Sequence, residues 1–71
     1  METVYIRDDF IKLGQVLKLS GLCDTGADAK DVILEGLVKV NGETVLQRGK
    51  KIFPGDQVTF DSRTVAVEKR Q

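Results

Sequence analysis

The sequence predicts a small single-domain α+β fold of order β-α-α followed by three or four mostly antiparallel strands, with the helix pair packed on a curled sheet. Three observations predict it. Two short segments, around Phe10–Ser20 and Thr25–Glu35, carry apolar residues at helical spacing, and each is followed by a glycine. Asn41-Gly42 stands between two β-prone runs, a strong short-range hairpin signal. Pro54-Gly55-Asp56 then marks a further turn ahead of a last strand pair.

Thr3 to Ile6 reads as a first strand of β-prone residues. In the next segment Phe10, Leu13, Val16, Leu17 and Ser20 share one helical face, predicting an amphipathic helix from about Phe10, capped by Asp8 or Asp9 and stopped at Gly21. Thr25-Gly26-Ala27-Asp28 fits a capping box for a second helix with the stripe Ala29, Val32 and Ile33, ending near Glu35 ahead of Gly36. Leu37–Val40 and Glu43–Leu46 form the hairpin around Asn41-Gly42, and Gln47-Arg48-Gly49-Lys50-Lys51 is a basic loop. Gln57–Phe60 and Thr64–Glu68 pair across Asp61-Ser62-Arg63, and Lys69-Arg70-Gln71 is expected to fray.

Composition narrows the function classes. With 71 residues the chain buries only about 60% of the surface its unfolded form exposes. One cysteine and no histidine exclude an internal disulfide and disfavour a structural zinc site. Cys23 is expected to be half-buried between the helices, with no neighbour to activate its thiol. No run approaches the roughly 20 apolar residues of a membrane span. The opening residues carry early acids and no signal-peptide pattern, so a cytoplasmic protein without membrane contact is expected. No nucleophile motif or phosphate-binding glycine loop is present, so no enzyme, catalytic residue, metal or cofactor is expected.

Eleven Lys and Arg balance eleven Asp and Glu. A neutral chain holds phosphate only if the two signs are sorted onto different faces, because phosphate neutralisation supplies most nucleic-acid affinity. Asp28, Asp31 and Glu35 share a helical stripe, which reads as a water-facing side turned away from any RNA rather than a divalent-ion site. Lys12 and Lys18 do not fall on one helical stripe and are not expected to meet at one phosphate. Lys30 is nearest the positive end of the second helix.

The residues Leu13-x-x-Val16-Leu17, Gly21, Ala29-Lys30, Ile33, Gly36, Val38, Val40-Asn41-Gly42 and Pro54-Gly55-Asp56, in this order, resemble the RNA-binding domain named after ribosomal protein S-four, also called the αL motif. The resemblance covers about residues 12–60. Gly26-x-x-Ala29-Lys30 together with Arg48-Gly49-Lys50-Lys51 is closer to the stand-alone bacterial subfamily. It implies a non-catalytic, monomeric protein that grips structured RNA by shape and phosphate contacts, in ribosome assembly or translation, with ribosomal RNA the first candidate and transfer RNA the second. Contact would run through Lys12, Lys18, Lys30, Lys39, Arg48, Lys50 and Lys51. Relatives often carry arginines late in the first helix and at the start of the second, where this chain has Leu19 and Gly26. The ordinary reading of the basic loop is a solvated segment that protects a sheet edge; the resemblance favours a phosphate clamp. A different class of function, a protein-interaction module without RNA, would need exposed Leu19 and Leu34 to cluster. A ubiquitin-like sulfur carrier fails because the chain ends Lys69-Arg70-Gln71 instead of Gly-Gly.

Overall fold

The computed structural model describes residues 2–71. Strand β1 (Glu2–Ile6) leads through a short strand β2 (Ile11–Lys12) into helices α1 (Leu13–Leu19) and α2 (Gly26–Leu34). Strands β3 (Val38–Val40), β4 (Glu43–Thr44), β5 (Lys51–Ile52), β6 (Gln57–Phe60) and β7 (Arg63–Lys69) follow. Five of the strands form one sheet in the order β1-β7-β6-β3-β4, while β2 and β5 make a separate two-stranded ribbon. All pairs are antiparallel except β1 and β7, which run parallel with Val4 beside Val67.

The core follows from two periodicities. Val38 and Val40, Val58, and Val65 and Val67 alternate with exposed or half-exposed residues, so one sheet face is valine-rich. Leu13, Val16 and Leu17 of α1 and Ala29 and Ile33 of α2 lie three or four residues apart and cover that face. No charged or polar side chain is buried among the described residues, so the layer rests on apolar packing alone. Val32, expected in the second stripe, is half-buried at its margin.

The turns match their chemistry. Asn41 and Gly42 both take positive φ, 51° and 86°, the conformation whose twist matches a two-residue hairpin. Pro54 and Gly55 (φ 97°) build a turn closed by the Asp56 N–H donating to the Phe53 carbonyl at 2.9 Å. The turns are also bound to each other. Asn41 Nδ2 donates to Asp56 Oδ1 at 3.0 Å, and the Gln57 N–H donates to Asn41 Oδ1 at 2.9 Å.

Four expectations are corrected. First, α1 starts at Leu13, not Phe10, and neither Asp8 nor Asp9 caps it. Ile11 and Lys12 pair instead with Ile52 and Lys51, and the N–H groups of Leu13 and Gly14 donate to the carbonyls of Lys50 and Arg48 at 2.9 and 3.0 Å. The basic loop therefore satisfies donors that a side-chain cap would otherwise take. Second, Thr25 accepts from the Asp28 N–H at 3.1 Å, but the return bond of a full capping box is not made. Third, the last residues are tied down. Lys69 pairs in register with Ile6, its ammonium meets Asp9 at 2.9 Å, and the Arg70 N–H donates to the Ile6 carbonyl at 2.7 Å. Fourth, Cys23 is buried in the core rather than half-buried.

Candidate nucleic-acid interface

The first turn of α1, the basic loop and the start of α2 converge on one concavity of about 380 Å³. Lys12, Lys18 and Arg48 line it, with Gly14, Gln15, Gly26 and Gly49. No carboxylate is among the lining residues. Local structure explains the convergence. Lys12 is the N-cap residue of α1, with an extended backbone (φ −75°, ψ 146°), so it does not follow the helical spacing assumed from sequence. Lys18 lies in the last turn of the same helix. Arg48 is delivered by a loop fixed at three points: its own carbonyl and that of Lys50 accept from α1, and the Lys50 N–H donates to Gln47 at 3.2 Å. Lys12 and Lys18, which do not fall on one helical stripe, thus line one concavity because the helix begins only after Lys12.

The cations of the concavity have no carboxylate partners among the described residues. Among the described residues the ion pairs are Arg63–Glu2 and Lys69–Asp9, so none of the seven predicted contact cations is neutralised by a carboxylate. Lys12 and Lys51 sit directly opposite each other across the β2–β5 ribbon. Like charges in that position oppose pairing. Part of the strain is relieved because the Lys51 ammonium lies 4.8 Å over the Phe10 ring, which in turn packs against Phe53 at 6.0 Å. Gly26, the first residue of α2, lines the same wall and brings the partial positive charge of a helix N-terminus beside it.

The remaining predicted cations are placed differently. Lys50 and Lys51 flank the concavity on the loop and the ribbon. Lys30 lies outside it, one helical turn along α2 from Gly26 and on the same side. Lys39 does not join them: it alternates with buried Val38 and Val40 and so projects from the sheet face away from the helices. Gln15, not predicted as a contact, does line the site, as does Gly26 at the positive end of the second helix. Gln15 was detectable in principle, being three residues from both Lys12 and Lys18.

Three of the eleven acids gather elsewhere. Asp24, Asp28 and Asp31 line a different concavity of about 260 Å³ beside Cys23, Val32 and Phe60, with no cation among its lining residues. Glu35, the third member of the predicted stripe, is not among them. Burial, helped by the negative charges of Asp28 and Asp24, pushes the Cys23 thiol above its ordinary pKa, the opposite of an activated nucleophile. Leu19 and Leu34 are both exposed, and Leu19 lines concavities beside β1 in which Leu34 takes no part.

A model of the S4 domain family matches residues 4–68. The chain belongs to the S4 domain family. S4 domains are RNA-binding modules without enzymatic activity, and the match extends on both sides of the 12–60 stretch that carries the sequence resemblance. The S4 domain described here is 40% identical over 57 residues to the Escherichia coli (strain K12) protein named "Putative RNA-binding protein YbcJ", covering 80% of this chain and 81% of that one. It is 38% identical over 58 residues to the Bacillus subtilis (strain 168) protein named "Probable ribosome maturation protein RlbA", covering 82% of each. The solution structure of E. coli YbcJ, reported to reveal an αL motif involved in RNA binding, superimposes with a TM-score of 0.74 at 36% identity, covering 96% of this chain and 87% of that one. This S4 domain accordingly has the αL architecture: a helix pair on a mostly antiparallel, mixed sheet. No helix among the described residues is long and apolar enough to cross a membrane.

Proposed function

We propose that this protein binds structured RNA, seating backbone phosphates in the concavity formed by Lys12, Lys18 and Arg48, with Lys50, Lys51 and Lys30 on its flanks. The observation that carries the reading is that three cations without carboxylate partners share one wall with a helix N-terminus, with no carboxylate among the lining residues, while Asp24, Asp28 and Asp31 line another concavity. The stapled loop holds its cations at set distances before RNA arrives, which suits recognition of a duplex whose base edges lie in a deep, narrow groove. Lysines act there as point charges and Arg48 as a planar fork. The target we favour is ribosomal RNA, with transfer RNA second, in ribosome assembly or translation. The names of the E. coli and B. subtilis relatives support that direction. A cytoplasmic setting agrees with a single buried thiol.

The decisive variant removes Arg48, Lys50 and Lys51 together, all exposed and outside the core. Each lost phosphate contact should lower the salt slope of log K by about 0.7 to 0.9. The triple alanine variant is therefore expected to bind a folded RNA more weakly, with a flatter dependence on salt. Affinity and slope equal to those of the parent would refute the clamp. In cell extracts, sucrose gradients should show the protein in ribosomal fractions at low salt and depleted from them at high salt.

A further inference from the structure

Beside the phosphate concavity lies a second one, also of about 380 Å³, between the end of β1, the turn that follows it, and α1. Its chemistry differs. Tyr5, Phe10 and Leu19 provide aromatic and aliphatic surface, and Arg7, Asp8 and Lys18 provide polar groups around them. Tyr5 is 61% exposed and Leu19 65%. Single exposed apolar residues are ordinary, but here two line one hollow with a further aromatic ring. Phe10 is held in place by Phe53 and by the Lys51 ammonium over its ring, so this wall is preformed.

The two concavities are contiguous, since Gln15 and Lys18 line both. The carboxylate of Asp8 makes the second a poor seat for phosphate, yet a good acceptor for the amino and imino N–H groups of a nucleobase. Its volume lies toward the small end of ligand pockets, which suits one base and not a helix. Proteins recognise unpaired RNA bases by splaying them onto aromatic side chains beside a cationic track, and this is the arrangement that Tyr5, Phe10, Arg7 and Lys18 present.

We propose that an unpaired nucleotide next to the gripped phosphates places its base in this hollow against Tyr5, with Arg7 and Lys18 meeting its backbone, so that the protein selects helices interrupted by a bulge or loop. The inference rests on the RNA-binding reading above.

The test compares a short RNA hairpin with a fully paired stem and the same hairpin carrying one bulged adenosine, each titrated with the intact protein. Parent protein should prefer the bulged RNA by roughly five-fold or more, the lower end of what base–aromatic stacking contributes. Tyr5→Leu should bind the paired stem as the parent does and lose the preference, while Tyr5→Phe should keep it. Replacing the bulged base with 2-aminopurine reads the same contact without a variant: its fluorescence should fall on binding. Equal affinity of the parent for both hairpins, or a preference that survives Tyr5→Leu, would overturn the proposal while leaving RNA binding standing. Salt-dependent binding of neither hairpin would remove both.

Discussion

Asn41 illustrates how one residue can hold two turns at once. Its positive φ of 51° serves the β3–β4 hairpin, and its side-chain amide reaches fifteen residues on to Asp56 and Gln57. Asn tolerates that backbone, whereas a residue with an ordinary Cβ does so at a cost of about 1–2 kcal/mol. Each lost hydrogen bond costs about 0.5–1.5 kcal/mol net. Asn41→Ala should therefore destabilise by roughly 2–5 kcal/mol, and Asn41→Gly, which keeps the turn but loses the bonds, by about 1–3 kcal/mol. Urea midpoints check both values; a pair of variants as stable as the parent would show that the bridge contributes nothing. The Asn-Gly dipeptide announces the turn because turn chemistry is local. The bond to Asp56 leaves no such trace, being a product of the fold that brings the two turns together. Tyr5 was equally silent: in a strand it reads as one more β-prone residue, and only the approach of α1 makes it the wall of a hollow.

At the scale of elements, the boundary between β2 and α1 decides the site. Phe10 and Ile11 fit a helical stripe as well as an extended segment, so periodicity alone places the helix start too early. The partner that settles it, β5, lies some forty residues further along the chain. With the start misplaced, Lys12 is assigned to a helical stripe and its place beside Lys18 in one concavity is missed, although every cation of that concavity is identifiable as a candidate. The start of α2 is better marked, since Thr25 caps it as expected from its type. It also offers room. A Cβ at Gly26 would meet nothing within 4 Å, and Gly26 lines the cationic concavity. Gly26→Arg should accordingly restore a guanidinium where relatives carry one, tighten RNA binding and steepen the salt slope by about 0.7–0.9. Its stability should fall by no more than about 1 kcal/mol, from placing a cation at the positive helix end. An unchanged slope in a folded Gly26→Arg protein would mean that phosphate does not approach this wall.

For the whole molecule, neutrality hides a local sorting of charge between two concavities. Total charge, the only electrostatic quantity that composition supplies, argues against nucleic acid, and the sorting emerges once α2 carries Asp28 and Asp31 toward one concavity and leaves Gly26 in the other. In a body measuring 34 × 21 × 18 Å, charges farther apart than about 8 Å are largely screened at physiological salt. Changing Asp24, Asp28 and Asp31 together to asparagine is thus expected to leave the salt slope of RNA binding unaltered and to change affinity only a few-fold. A slope increased by one or more phosphates would place RNA on the acidic side as well. The parallel pairing of β1 with β7 has a consequence in time. It joins segments at the extremes of the described chain, whereas all residues lining the cationic concavity lie within residues 12–49. During synthesis the first strand, whose sole neighbour in the sheet is β7, waits with its edge unpaired until the last has been made. That delay is the interval in which a nascent molecule is most exposed to pairing with a neighbour.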